Sequence, residues 1–159
     1  MTGKRPILFA TDGSPSAADA QRKAIELAHA LGAPLAVVSV AHAALPAVGY
    51  ASYGYSNIVA ELTNAEHHRV NGLLASVAEV AETEGIHCTT VALDGFVVDE
   101  ICRKASEYDA QMIVVGSHGW GAARRLLSGS VSTGLVHSAP CPVLVIRPRE
   151  QAARQAAAA

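Results

Sequence analysis

Gly116 to Ser130 reads GSHGWGAARRLLSGS, and it lies between an apolar run, Met112-Ile113-Val114-Val115, and a helical stretch, Val131 to Ser138. The run has the length and β-branched content of a buried strand. A strand that passes through glycines into a helix is a place to hold an anion. Gly116, Gly119 and Gly129 have no Cβ, so the backbone there can take positive φ and come close to a ligand. The first amides of the following helix have no intrahelical partner, and the helix dipole favours negative charge beside them. Ser130 adds a hydroxyl, and Arg124 and Arg125 place two positive charges in the loop. This is chemistry for phosphate. A strand-to-helix glycine loop with no ligand is the plainer alternative, since such loops are common.

Working outward, the same strand–turn–helix unit recurs. Pro6 to Thr11 is apolar and ends at Asp12-Gly13, after which Ser14 is placed to cap a helix that Pro15 starts. Ala17, Ala20, Ala24, Ala28 and Leu31 recur at helical spacing, and Gly32 is placed to end that helix. Leu35 to Val40 is a second strand, apolar on both faces, as a helix-covered parallel sheet requires. Ile58 to Glu84 reads as one long helix with Val70, Leu73, Leu74, Val77 and Val80-Ala81 on its buried stripe. Ile86 to Leu93 is a more polar third strand, which suits an edge. Val98, Ile101, Cys102 and Ala105 define a third helix, Ala110 to Val115 a fourth strand, and Val143 to Ile146, launched by Pro140 and Pro142, a last one. Strands alternating with helices predict an α/β fold: a single doubly wound domain with a parallel sheet and helices on both faces.

The chain has 159 residues, which suits one domain over residues 1–148, with an alanine-rich tail over 149–159. Half of the residues are hydrophobic and only 4% aromatic, so the core is aliphatic. A formal net charge of -2 argues against a nucleic-acid surface. No apolar stretch reaches bilayer length, and Asp12 interrupts any leader-like run, so the expected location is the cytoplasm with no membrane partner. Cys88, Cys102 and Cys141 show no C-x-x-C spacing and fit buried thiols. His42 to Asn57, with Pro46, Gly49, Gly54 and three tyrosines, keeps no period and reads as a long loop. Its tyrosines suit surface or subunit packing better than covering a base. His67 and His68 point in different directions around their helix, which is poor metal geometry.

The glycine spacing is G-x2-G-x9-G-S over Gly116, Gly119, Gly129 and Ser130. With Ile113 to Gly119, Ala139 to Val145 and the opening Ile7-Leu8-Phe9-Ala10-Thr11-Asp12-Gly13-Ser14, it resembles the universal stress protein family over roughly Lys4 to Arg147. The resemblance implies a five-stranded sheet in the order 3-2-1-4-5. Strands 1 and 4 then meet at the switch point, where such folds bind ligands. It further implies an adenine nucleotide (ATP, AMP or cyclic AMP) with Mg²⁺ or Mn²⁺, and a stress-response regulator with at most slow ATP hydrolysis. The implied nucleotide site takes in Thr11, Asp12, Val40, Gly116, His118, Gly119, Arg125, Gly129, Ser130 and Val131. Asp12 is the one candidate to touch the metal, mainly through phosphates. A homodimer through Val143 to Ile146 is expected, because an apolar edge strand invites pairing and the family pairs these strands.

Other chemistries find no support in the motifs. There is no G-x-x-x-x-G-K-[ST] and no G-x-G-x-x-G after the first strand. No Ser–His–Asp or Cys–His spacing can be assigned. His118 has no visible proton-transfer partner, and Trp120 suits a dimer contact as well as a site cover. The competing reading is an interaction module of the same fold that binds no nucleotide. An ATP-dependent enzyme is the weakest alternative, since no acceptor-substrate constellation accompanies the loop.

Overall fold

Residues 3–41, 56–117 and 131–147 are described by the computed structural model. Within them the elements alternate: β1 (Ile7–Ala10), α1 (Pro15–Leu31), β2 (Leu35–Ala41), α2 (Ser56–Thr83), β3 (Cys88–Asp94), α3 (Val97–Glu107), β4 (Met112–Gly116), α4 (Val131–Ser138) and β5 (Val143–Ile146). The five strands form one parallel sheet in the order β3-β2-β1-β4-β5. This is the order the resemblance implied.

The topology sorts the helices by face. The chain moves outward from β1 to β2 to β3, then returns past β1 to β4 and β5. Right-handed crossovers therefore put α1 and α2 on one face and α3 and α4 on the other. Alternate strand residues feed two separate cores. Ile7, Phe9, Leu35 and Val37 meet Ala20, Ala24 and Ala28 of α1 and Val70, Leu74, Val77 and Ala81 of α2. Leu8, Ala10, Ala36, Val38 and Ile113 meet Ile101 and Ala105 of α3 and Leu135 of α4. β1 has every residue buried because it has strands on both sides and helices on both faces. β3 lies at an edge, as its polarity predicted; Thr89, Thr90 and Asp94 are exposed and only Leu93 is fully buried.

Three helices end alike, and this explains where the expected strand boundaries moved. Gly32, Gly85 and Asp109 take positive φ of 56°, 73° and 48°. The next amides, of Ala33, Ile86 and Ala110, donate back to the carbonyls of Ala28, Ala81 and Ala105. That is the Schellman closure, which satisfies orphan carbonyls of the last turn. Ile86 and Ala110 are buried, but their amides are committed to helix ends, so β3 begins at Cys88 and β4 at Met112 rather than at those residues. Asp109 holds a left-handed conformation that usually falls to glycine. Arg5 binds it there, donating from Nε to its carbonyl at 2.8 Å and pairing with its carboxylate at 2.8 Å.

Two expectations for α2 need correction. It starts at Ser56, ahead of Ile58, and Val80 is exposed rather than part of the stripe. Val70, Leu74, Val77 and Ala81 already complete the buried row, and Val80 turns off it. Residues 149–159 and nearly all of the loop from His42 to Asn57 lie outside the described residues.

Candidate functional site

β1 ends against two neighbours, with Ala10 level with Val38 of β2 and with Val115 of β4. The next residues build a turn held by its own side chains. Thr11 is buried, and its amide extends the ladder to the Val38 carbonyl at 3.0 Å. Its Oγ1 accepts from the Gly13 amide at 3.2 Å. Asp12 Oδ1 accepts from the Ser14 amide at 2.9 Å, an Asx turn. Gly13, at φ 76°, makes the reversal that a Cβ would oppose. Asp12 therefore sits half-buried at the rim with its carboxylate oriented before any ligand arrives.

Ser14 caps α1 through its backbone. Its carbonyl accepts from the amides of Ala17 and Ala18, and Pro15 starts the helix as expected. The Ser14 hydroxyl makes no capping bond; it lies 3.2 Å from the Ser16 hydroxyl, and both serines are buried. The start of α1 is thus pressed onto the end of β4.

Gly116 explains why. A Cβ there would lie 3.0 Å from Ser16 Oγ and 3.1 Å from the Ser16 backbone carbon and oxygen. Gly116 is not among the glycines with positive φ. The expectation that it serves the loop by conformational freedom is corrected: its missing side chain lets α1 pack against β4. On the side where a Cβ would stand, the space is filled by Ser16. Beyond it, the Ser117 amide continues to β5 through the Ile146 carbonyl at 2.8 Å.

Of the candidate residues, Thr11, Asp12 and Gly116 meet at the ends of neighbouring strands, at the switch point. Val40 lies one strand over, 7% exposed, on the face that also packs Val131, the first residue of α4. His118, Gly119, Arg125, Gly129 and Ser130 lie outside the described residues, as do Arg124 and Trp120.

One residue of the site escaped the sequence reading. Arg69 of α2 donates from Nε and Nη2 to the two carboxylate oxygens of Glu66, each at 2.8 Å. Its Nη1 reaches the Asp12 carbonyl at 3.4 Å. The hydrogen bond to Glu66 holds the Arg69 pKa above its already high value, opposed by partial burial and helped by the charges of Glu66 and Asp12. The available signal was position: Arg69 lies one turn before Leu73 on the face that meets the sheet. His67, expected on a solvated face, has Nε2 3.4 Å from Asp94 Oδ1 at the end of β3. Burial raises the pKa of Cys88, Cys102 and Cys141, which keeps them thiols and agrees with structural roles.

One oriented carboxylate suits a donor such as a ribose hydroxyl. A divalent cation needs further oxygen ligands, which a bound phosphate chain would bring. Among the described residues no three His, Cys, Asp or Glu side chains are grouped to hold a metal, and no helix is long and apolar enough to cross a membrane.

Comparison with known proteins points the same way as the geometry. A universal stress protein of Methanocaldococcus jannaschii is 32% identical over 143 residues, covering 90% of this chain and 82% of that protein. The fold matches the universal stress protein UspA from Lactobacillus plantarum with a TM-score of 0.77 at 24% identity, over 92% of this chain and all of the other. Two further similar structures hold ligands: a universal stress protein in complex with cAMP (TM-score 0.66, 20% identity, 89% and 96% covered) and the Archaeoglobus fulgidus protein in complex with dAMP (TM-score 0.62, 25% identity, 89% and 96% covered). The model of the universal stress protein family matches residues 4–147, the span that carries every strand of the sheet, and the chain belongs to that family.

Proposed function

We propose that this chain binds an adenine nucleotide where β1 and β4 end, and acts as a nucleotide-dependent regulator of the stress response. The observation that carries the reading is that β1 and β4 are adjacent parallel strands, so that Asp12, just past the end of β1, and Gly116, the last residue of β4, lie at the same end of the sheet at the switch point, where the glycine loop issues from Gly116. The cAMP and dAMP complexes of structural relatives support adenine as the base. In this reading Asp12 accepts from the ribose, and Val40 and Val131 border the base. The amides of Gly129 and Ser130, with Arg125, His118 and Gly119, receive phosphate. ATP arrives with Mg²⁺ or Mn²⁺, which Asp12 touches mainly through the phosphates. Hydrolysis is slow at most, because the motif supplies no positioned general base.

Calorimetry with ATP and Mg²⁺ tests the binding. Gly129→Val is expected to abolish the heat while the protein stays folded, because the branched side chain occupies phosphate space. A folded Gly129→Val protein that binds like the wild type overturns the assignment and leaves the interaction module as the better reading.

The same reading includes a homodimer through β5. This strand is a sheet edge with no charge in Val143 to Ile146, and Leu144 is 36% exposed. Leu144→Lys is expected to shift the sedimenting species from dimer to monomer.

A further inference from the structure

Beyond the strand ends, one feature of the candidate site comes from α2, on the same face of the sheet as α1. α2 places two residues, one turn apart, on the reversal after β1. Leu73 lies against Gly13: a Cβ on that glycine would be 3.2 and 3.3 Å from the two Leu73 methyl carbons. Arg69 reaches the Asp12 carbonyl with Nη1 at 3.4 Å. The guanidinium is not a loose surface cation. Its Nε and Nη2 edge is taken end-on by Glu66, three residues earlier, through two bonds of 2.8 Å. That fork–fork geometry fixes the plane of the group. Only the Nη1 corner faces the turn. The Arg69 side chain is 46% exposed and that of Glu66 25%, so the pair lies at the rim of the site and not in the core.

The contact goes to the Asp12 backbone, while the Asp12 carboxylate is engaged by the Ser14 amide. Holding the peptide that follows Asp12 restrains the rotation that would turn the carboxylate away. We infer that Arg69, oriented by Glu66, is a positioning residue for Asp12: the α2 pair grips the β1–α1 turn and holds the Asp12 carboxylate toward the ligand. This rests on the nucleotide-binding reading for its consequence, but the grip itself belongs to the free protein.

The experiment has one arm without ligand and one with it. In the nucleotide-free full chain, Arg69→Met is expected to speed amide hydrogen exchange at Ser14 by about threefold to tenfold, the loss of one hydrogen bond's worth of restraint. Exchange at Leu8 inside β1 should not change. Unchanged exchange at Ser14 overturns the grip, whether or not the protein binds nucleotide. With AMP as the probe, the same variant is expected to lose about threefold to tenfold in affinity. Arg69→Lys should lose nearly as much, because an ammonium cannot hold Glu66 end-on and reach the turn together. Full rescue by Arg69→Lys would mean that charge alone matters and overturns the positioning role. In an Asp12→Ala background, Arg69→Met should have no further effect. Additive losses would mean that Arg69 meets the nucleotide directly, and that also overturns it. Failure of the wild type to bind AMP or ATP defeats the proposed function, and the Ser14 arm then decides the grip by itself.

Discussion

The turn after β1 and the end of β4 lie side by side at one end of the sheet, and each holds a glycine for a different reason. Gly13 is exposed and takes φ 76°, so it is there for its backbone. Gly116 keeps a φ open to any residue and is there for its missing side chain, which lets Ser16 approach. A glycine signature read along a sequence merges these two causes. Sorting them changes what the motif says: the first glycine of G-x2-G-x9-G-S is a packing residue that lets α1 close on β4.

The largest expected effect breaks the packing side of this comparison. Gly116→Ala puts a Cβ about 3 Å from three atoms of Ser16, two of them backbone and unable to swing aside. Overpacking of this kind is expected to destabilise by about 2 kcal/mol, a fall of roughly 4–8 °C in Tm at this chain length. Adding Ser16→Ala should recover only part of the loss, because the backbone contacts remain. A Gly116→Ala protein that melts with the wild type would show that α1 has room to move.

A smaller effect sharpens the conformational side. Gly13→Ala should lose about 1–2 kcal/mol, from the left-handed backbone with a flexible Leu73 end nearby. Asn tolerates that conformation, so Gly13→Asn should melt above Gly13→Ala. At Gly116 the order should invert, with Asn worse than Ala, because size is what fails there. Thermal melts of the four proteins read the crossing directly. Parallel orders at the two positions would refute the distinction.

The smallest effect is a control with neither cause. Gly72 lies exposed within α2, and a Cβ there meets nothing within 4 Å. Its φ is not in the left-handed range. Gly72→Ala should stabilise by about 0.5–1 kcal/mol through helix propensity, seen as a modest rise in Tm.

Much of this protein was legible in the sequence by itself, wherever the cause is local. Short apolar runs located the strands of a sheet covered on both faces, and 3.6-residue spacing located the long helices, because burial imposes both patterns. Pro15 and Gly32 marked the ends of α1, since fixed φ and missing Cβ act within a turn. The spacing of Gly116, Gly119, Gly129 and Ser130 pointed to the family, and the family to the strand order. Tertiary structure decided what depends on residues distant in the chain. The amides of Ile86 and Ala110 were claimed by helix ends, which moved two strand boundaries. The purpose of Gly116 depended on Ser16, a hundred positions away in the chain and brought close only when α1 folds over β4. Nothing in the sequence singled out Arg69 until α2 brought it to Asp12, 57 residues earlier. Local sterics and periodicity are written residue by residue, whereas a contact between layers exists only once both layers are in place.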